Sequence, residues 1–479
     1  MFTTRTYRQL VVIIGLIICS ISDGFIFGQM SGMVDALLKK DGEMSLTNSD
    51  VSWIASLINA TCICGFGAVA VLGEKFGRRT VITILSMPVL ASYIMVYYGK
   101  NLSTFVISRV MVGVCYGGVL ILTYITMAEY TTPNRRALCI NFISAIGPST
   151  GTLIGHLLSI VLHWRTVALI GLIPTGVSAI LPFLWVESPS WLATQGRFEE
   201  CKKSFRAIHG ISETSEAELK LLIETERKKI NEIASAKQKT VFILTKLKLK
   251  MKQKYFWKTL LLGGVINVYR IASGRIMFST LAITMLKEMT GSSNIILFTF
   301  LVDGFIILGS ILSIFSINNM KMRPLLFTFG LVGNITLLTL SACIYFIPRS
   351  YPCYGWINIS LLAFYFITLY TGPYAVLEAY ISEIFPLDIK LYCILFLSLI
   401  VSPGSFLSVY LAPMMFASIG YHGVFLVNAV IVFMCLGYLW CYIPETKGKT
   451  LQEIELFFKD NKFNKQMDER NEQVSTVLL

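Results

Sequence analysis

Gly73-Glu74-Lys75-Phe76-Gly77-Arg78-Arg79 is a short charged stretch wedged between two long apolar runs, 51–72 and 80–98. Its two glycines mark a tight turn, because glycine alone accepts positive φ without steric cost. The turn leaves Arg78 and Arg79 unexplained. Two arginines at a membrane edge point to a loop that grips something acidic.

The same alternation of apolar run and short polar loop continues along the chain. A spanning helix needs about 20 apolar residues. Runs of that order fall at 9–30, 51–72, 80–98, 104–127, 137–162 and 166–186, then at 257–286, 294–317, 324–347, 356–385, 390–417 and 423–443. The plan is six helices, a long basic interval, and six more. It predicts an all-α membrane protein with a first bundle over 1–186, a cytoplasmic loop with short helices over 187–256, a second bundle over 257–443 and a tail over 444–479. Barrel strands would instead alternate apolar and polar over about ten residues.

Composition agrees. Of 479 residues, 54% are hydrophobic and 14% charged, with a mean hydropathy of +0.67, whereas a soluble domain carries about 25% charged residues. The net charge of +13 is not spread over a binding surface but sits in loops, with sixteen Lys/Arg against eight Asp/Glu between Ala193 and Lys258. That distribution argues against nucleic acid and for a cytoplasmic loop. By the same rule both termini face the cytoplasm, and the plasma membrane is the expected location. The alternation Lys246, Lys248, Lys250, Lys252, Lys254 suits anionic lipid head groups. Nine of the eleven cysteines lie inside apolar runs, and Cys62-Ile63-Cys64 is too close and too buried for zinc. No metal or other cofactor is expected, and no nucleophile–base constellation supports an enzyme. The run after Arg8 lacks a small-residue cleavage site and reads as a retained first helix. Asn101-Leu102-Ser103 is a glycosylation sequon in a very short outer loop.

Six motifs then give the plan a family. They are Gly73–Arg79; Arg109-Val110-Met111-Val112-Gly113 with Gly117 and Glu129; Pro133-Asn134-Arg135-Arg136; Glu187-Ser188-Pro189-Ser190-Trp191-Leu192; Ser382-Glu383-Ile384-Phe385-Pro386 with Lys390; and Pro444-Glu445-Thr446-Lys447-Gly448-Lys449-Thr450. Together they resemble the sugar porter branch of the major facilitator superfamily, and Ser52-Trp53-Ile54-Ala55-Ser56-Leu57 resembles the insect trehalose-transporter-like subset. The resemblance implies twelve transmembrane helices in two six-helix bundles, a small-molecule solute carried by alternating access, and function as a monomer. It also implies a cytoplasmic gate in which Arg78, Arg79, Arg109 and Arg136 pair with Glu129, Glu187, Glu383 and Glu445 to hold the bundles together. The alternative is that each is an interfacial charge that only anchors its helix. Gly73 and Gly77 shape the loop. Ser190 replaces a usual basic residue, and Lys390 replaces a usual arginine, giving a point charge in place of a fork. The second-half counterpart of the opening loop, Asn319-Met320-Lys321-Met322-Arg323-Pro324, has lost its glycine and one arginine.

Sugar porters line a midplane cavity between the halves with neutral amides. By resemblance, Ser144 (or Ala145) takes the place of the helix 5 glutamine. Arg270 and Ile271 fall at paired glutamines of helix 7, Ile276 at the following asparagine, Glu378 at a helix 10 tryptophan, and Ser405 at a helix 11 polar position. Charges remain at membrane depth in Asp23, Arg270, Arg275, Asp303 and Glu378, each costing about 2.5–3.5 kcal/mol at a helix centre, so partners or a wet cavity are expected. Arg270 and Glu378 are expected to face the cavity; an internal ionic network that merely locks the halves is the alternative. Proton-linked members carry a helix 1 aspartate whose place Ile26 occupies here, with Asp23 three residues earlier, so a facilitator is the expectation. His156 and His163 read as packing or interfacial residues. The functions that follow are facilitated transport of a hexose or trehalose, transport of an ionic or zwitterionic solute held by Arg270 and Glu378, and solute sensing without transport.

Overall fold

The computed structural model describes residues 4–38, 46–131, 138–235, 254–292, 294–385, 390–447, 449, 454, 457 and 458. The first half runs α1 (Thr4–Leu37), α2 (Asn48–Phe76), α3 (Arg78–Tyr98) and α4 (Leu102–Tyr130). A π-helical turn, Phe142–Ile146, leads into α5 (Gly147–Val161), and α6 (Trp164–Ile170) with α7 (Leu172–Ile180) completes the sixth span. Three helices outside the spans follow: α8 (Pro189–Thr194), α9 (Phe198–His209) and α10 (Glu213–Ser235). The second half runs α11 (Lys254–Ala272), α12 (Arg275–Thr290), α13 (Ile296–Asn319), α14 (Met322–Phe346), α15 (Tyr354–Thr371), α16 (Pro373–Glu383), α17 (Lys390–Tyr410) and α18 (Ala412–Tyr442). Among the described residues, ten stretches are long and apolar enough to cross a membrane. The pair α11–α12 and helix α17 supply the other two spans. No β-strand occurs among the described residues.

The continuous runs expected from hydropathy are interrupted where the chain has local reasons to break. The run 257–286 is split at Gly274, left-handed at φ 74. The run 356–385 breaks at Gly372 (φ −123, ψ −81), ahead of Pro373, which cannot donate to a preceding turn. Helix α17 ends at Tyr410, seven residues before the expected limit, and the bend before the last span sits at Gly420. Where α2 begins, Thr47 and Asp50 form a reciprocal capping box.

Packing follows small residues. Gly24, Gly28 and Gly32 recur every four residues along α1, and a Cβ on any of them would collide with Pro148, Gly155 or Ser159 around α5. Gly65 and Gly117 set α2 equally close to α4. Close backbone approach of this kind drives helix association where lipid removes the hydrophobic drive. Large apolar side chains such as Ile173, Leu297, Ile335 and Phe433 point outward, as a lipid-facing belt requires. The halves meet through α1 against α12, α2 against α17 and α5 against α13.

Helices α8–α10 gather Trp191, Leu192, Ala193, Cys201, Phe205 and Leu219 into a small separate core. Trp191 Nε1 and Gln195 Nε2 both donate to the Glu74 carbonyl, each at 3.0 Å, tying this unit to the Gly73–Arg79 loop. The face carrying this loop is the loop face, and the opposite one the far face. Arg136, the lysines 246–252 and the tail after Phe458 lie outside the described residues.

Candidate functional site: loop-face network and central cavity

At the loop face, Gly77 joins α2 to α3 at φ 85. A Cβ there would lie 2.5 Å from Glu187 Oε2, so glycine is needed both for the turn and for the carboxylate pressed against it. Glu187 accepts from the backbone N–H of Arg78 and of Ser188, each at 3.0 Å. The Arg78 guanidinium forks onto Glu129 (Nη2 to Oε1 2.9 Å, Nε to Oε2 3.2 Å) and donates to the Gly73 carbonyl at 3.1 Å. Arg79 donates to the Trp185 carbonyl at 2.9 Å and stands 4.0 Å from Glu187.

These bonds correct the expected cross-bundle latch. Arg78–Glu129 and Arg79–Glu187 fasten helix ends within the first half, because both acids belong to that half. Arg109 does not belong to this network. It sits seven residues into α4 from the far face, about 30 Å from Glu129 at ~1.5 Å per residue. There it is 1% exposed and donates to Gln29 Oε1 (3.2 Å) and Met33 Sδ (3.0 Å).

The second half repeats the pattern with one member missing. Glu445 accepts from the backbone N–H of Met322 (3.1 Å) and Arg323 (2.9 Å), as Glu187 does from Arg78. Arg323 Nη2 donates to the Trp440 carbonyl at 2.6 Å, as Arg79 does to Trp185. Arg323 therefore matches Arg79, and Met322 stands where Arg78 would. The lost arginine is the forked one, and Glu383, at the loop-face end of α16, holds the place of Glu129. Lys390 opens α17. Lys447 Nζ caps α13 through the carbonyls of Ile317, Asn318 and Met320, each at 2.8 Å.

Between the halves lies a cavity of about 270 Å³. Ser144, Arg270, Ile276, Glu378 and Ser405 all line it, as do Asp23 and Arg275; Asp303 does not. Arg270 Nη2 and Glu378 Oε2 stand 2.8 Å apart as an ion pair, and the Tyr124 hydroxyl reaches from the first half to Glu378 Oε1 at 3.3 Å. Arg275 bonds the Tyr374 hydroxyl and lies over the rings of Tyr370 and Tyr374. Two amides that sequence reasoning passed over also line the cavity, Asn59 and Asn267. Asn59 Nδ2 is buried with no bond, and Asn267 Nδ2 donates to Gly263 at 2.8 Å. An amide inside an apolar run was the available signal, since it is costly there without a role.

The far-face side of the cavity is closed by bonds between the halves. His156 on α5 is not the lone packing histidine expected. Its Nδ1 meets Asp303 Oδ2 on α13 at 2.8 Å, and its Nε2 donates to the cavity-lining Ser279 carbonyl at 3.0 Å. Further out, Lys287 pairs with Asp35 at 2.7 Å, and the Ile283 N–H donates to Ser31 Oγ at 3.0 Å. Nearer the loop face, Asn141 Nδ2 donates to the Ser310 carbonyl and to Ser313 Oγ, each at 3.1 Å.

Two helical halves around one cavity, each with the same carboxylate-to-backbone lock at its loop face, define a membrane carrier of the major facilitator type. The architecture matches solved structures. A proton:xylose symporter, XylE, bound to 6-bromo-6-deoxy-D-glucose superposes with a TM-score of 0.75 at 18% identity, covering 95% of this chain and 100% of that one. Among curated proteins, this chain is 25% identical to sugar transporter ERD6-like 6 of Arabidopsis thaliana over 91% of this chain and 87% of that protein. It is 22% identical to the facilitated trehalose transporter Tret1 of Bombyx mori over 94% of this chain and 86% of that protein. The model for the sugar (and other) transporter family matches residues 9–458. The chain belongs to that family and is a multi-pass integral membrane transporter.

Proposed function

We propose that the protein is a facilitative carrier of a sugar, working by alternating access around the central cavity. The observation that carries this reading is the cavity itself, built by both halves and furnished with amides and hydroxyls (Asn59, Asn267, Ser144, Thr152, Ser402, Ser405) that can exchange hydrogen bonds with a polyol. The relatives are named for sugar and trehalose transport. At about 270 Å³ the cavity lies at the lower edge of the ~300–1,000 Å³ usual for small-molecule sites, which favours one sugar ring over two. Ser144, Arg270, Ile276, Glu378 and Ser405 are assigned to the cargo site. Residues 1–186 and 257–443 are the moving halves, and the loop-face network fixes the shape of each.

By the distribution of Lys and Arg, the loop face is cytoplasmic, as are both termini. The plasma membrane is the proposed location and the monomer the working unit. Uptake into proteoliposomes of labelled D-glucose, D-xylose and trehalose, against amino acids and organic anions, tests the reading. Saturable sugar flux is expected. Sugar binding without flux would identify a sensor, and flux confined to ionic solutes would reassign the cargo.

A further inference from the structure

Four ionisable side chains line the cavity, and three have partners. Arg270 and Glu378 hold each other at 2.8 Å. Arg275 has the Tyr374 hydroxyl and two tyrosine rings. Asp23, on α1, is 7% exposed, lines the same cavity, and has no hydrogen bond or ion pair among the described residues. Arg109, the other buried charge of its half, is bonded to Gln29 and Met33. A carboxylate at membrane depth is costly unless something compensates it. Among the described residues no hydrogen bond or ion pair does so here, and Asp23 lines the cavity.

The surroundings of Asp23 indicate what would compensate it. One turn along α1, the ring of Phe27 meets that of Tyr116 edge-to-face at 5.3 Å, and both line the cavity. Aromatic faces beside a carboxylate suit an ammonium group, which the ring quadrupole also attracts. The rest of the wall offered by the first half is uncharged, with hydrogen-bonding groups on Asn59, Tyr124, Ser144 and Thr152 set between the apolar Phe66, Leu120 and Pro148. One anionic point set among amide and hydroxyl groups matches a polyol carrying a single protonated amine.

Resting on the sugar-carrier reading above, we propose that Asp23 is the seat of an amine on the cargo, so that the carrier takes amino sugars in preference to neutral sugars of the same shape. The ammonium donates to the Asp23 carboxylate while the hydroxyls are shared among the neutral groups. The competing occupant is a proton, which would leave Asp23 neutral and give no preference for an amine.

The full chain in proteoliposomes provides the test, with D-glucosamine, D-glucose and N-acetyl-D-glucosamine as probes. The N-acetyl compound keeps the nitrogen but not its charge. With the unmodified chain, kcat/KM for D-glucosamine is expected to exceed that of both others by about tenfold or more, the range of one charge-assisted hydrogen bond. Asp23→Asn should lower the D-glucosamine to D-glucose ratio by a similar factor, and Asp23→Glu should restore it. Saturable D-glucose uptake with no preference for the amine overturns this proposal and leaves the carrier reading standing. An unchanged ratio in Asp23→Asn does the same. Absence of saturable uptake for all three sugars overturns both. The comparison within the unmodified chain holds even if the variants fail to insert.

Discussion

The His156–Asp303 contact makes the sharpest prediction about the conformational cycle. It joins α5 of one half to α13 of the other, with side chains 0% and 3% exposed. The Ser279 carbonyl can only accept, so His156 Nε2 carries a hydrogen; one further proton is then shared between Nδ1 and the Asp303 carboxyl. When the halves part on the far face, these groups separate and water replaces each partner. Only the difference between the two states biases the cycle. A hydrogen bond to a charged group contributes about 1.5–3 kcal/mol, so removing this one should move the equilibrium toward the far-face-open state by roughly 10–150-fold. Asp303→Asn and His156→Gln both test this with little change in volume. Paramagnetic labels on Val161→Cys and Leu297→Cys, at the exposed far-face ends of α5 and α13, would report the opening by their distance distribution, with the exposed Cys64, Cys353 and Cys441 exchanged for serine. A growing long-distance population is expected in both variants. Identical distributions in parent and variants would refute the idea that this contact holds the far face shut.

Three further outcomes follow from the loop face and the cysteines. Arg78→Ala should reduce transport more than Arg323→Ala at equal membrane abundance, because Arg78 forks onto Glu129 while Met322 occupies the corresponding place in the second half; equal losses would argue against the asymmetry. Gly77→Ala should lower thermal stability by about 1–3 kcal/mol, the usual cost of a residue held in a sparsely populated backbone region, since the new Cβ also meets Glu187; detergent-solubilised melting would show it, and an unshifted midpoint would refute the lock. Burial pushes the Cys201 thiol up to about 11, so it should resist maleimide at neutral pH while exposed Cys353 reacts. An impermeant maleimide reaching Cys353 only from the cell exterior would agree with a cytoplasmic loop face, and labelling only from the interior would reverse the proposed orientation.

Span number and order were legible because a bilayer imposes length and apolarity on every crossing segment, and few other constraints produce twelve such runs. The interruptions were less so. Ser273-Gly274 and Gly372-Pro373 were in plain view, but a break inside an apolar run depends on neighbours that satisfy the freed backbone groups. Motif position misled for Arg109: it shares a signature with the gate residues, yet counting seven residues from Leu102 places it near the far face. Arg270 and Glu378 read as cavity-facing from the sequence, while their mutual pairing, which leaves Asp23 as the cavity carboxylate without a bonded partner among the described residues, required three dimensions. His156 and Asp303 are 147 positions apart, and no local pattern connects them.

The small core of α8–α10 touches α1 and hangs from the Glu74 carbonyl by the Trp191 and Gln195 bonds. It therefore turns as cargo of the first half whenever the two halves rock. That makes it a pointer fixed to one side of a hinge. An antibody fragment bound to α9 would magnify each swing into a displacement visible by single-particle imaging, and a fluorophore there, paired with one at the exposed Lys321 just before α14, would time the cycle without altering a residue inside a span.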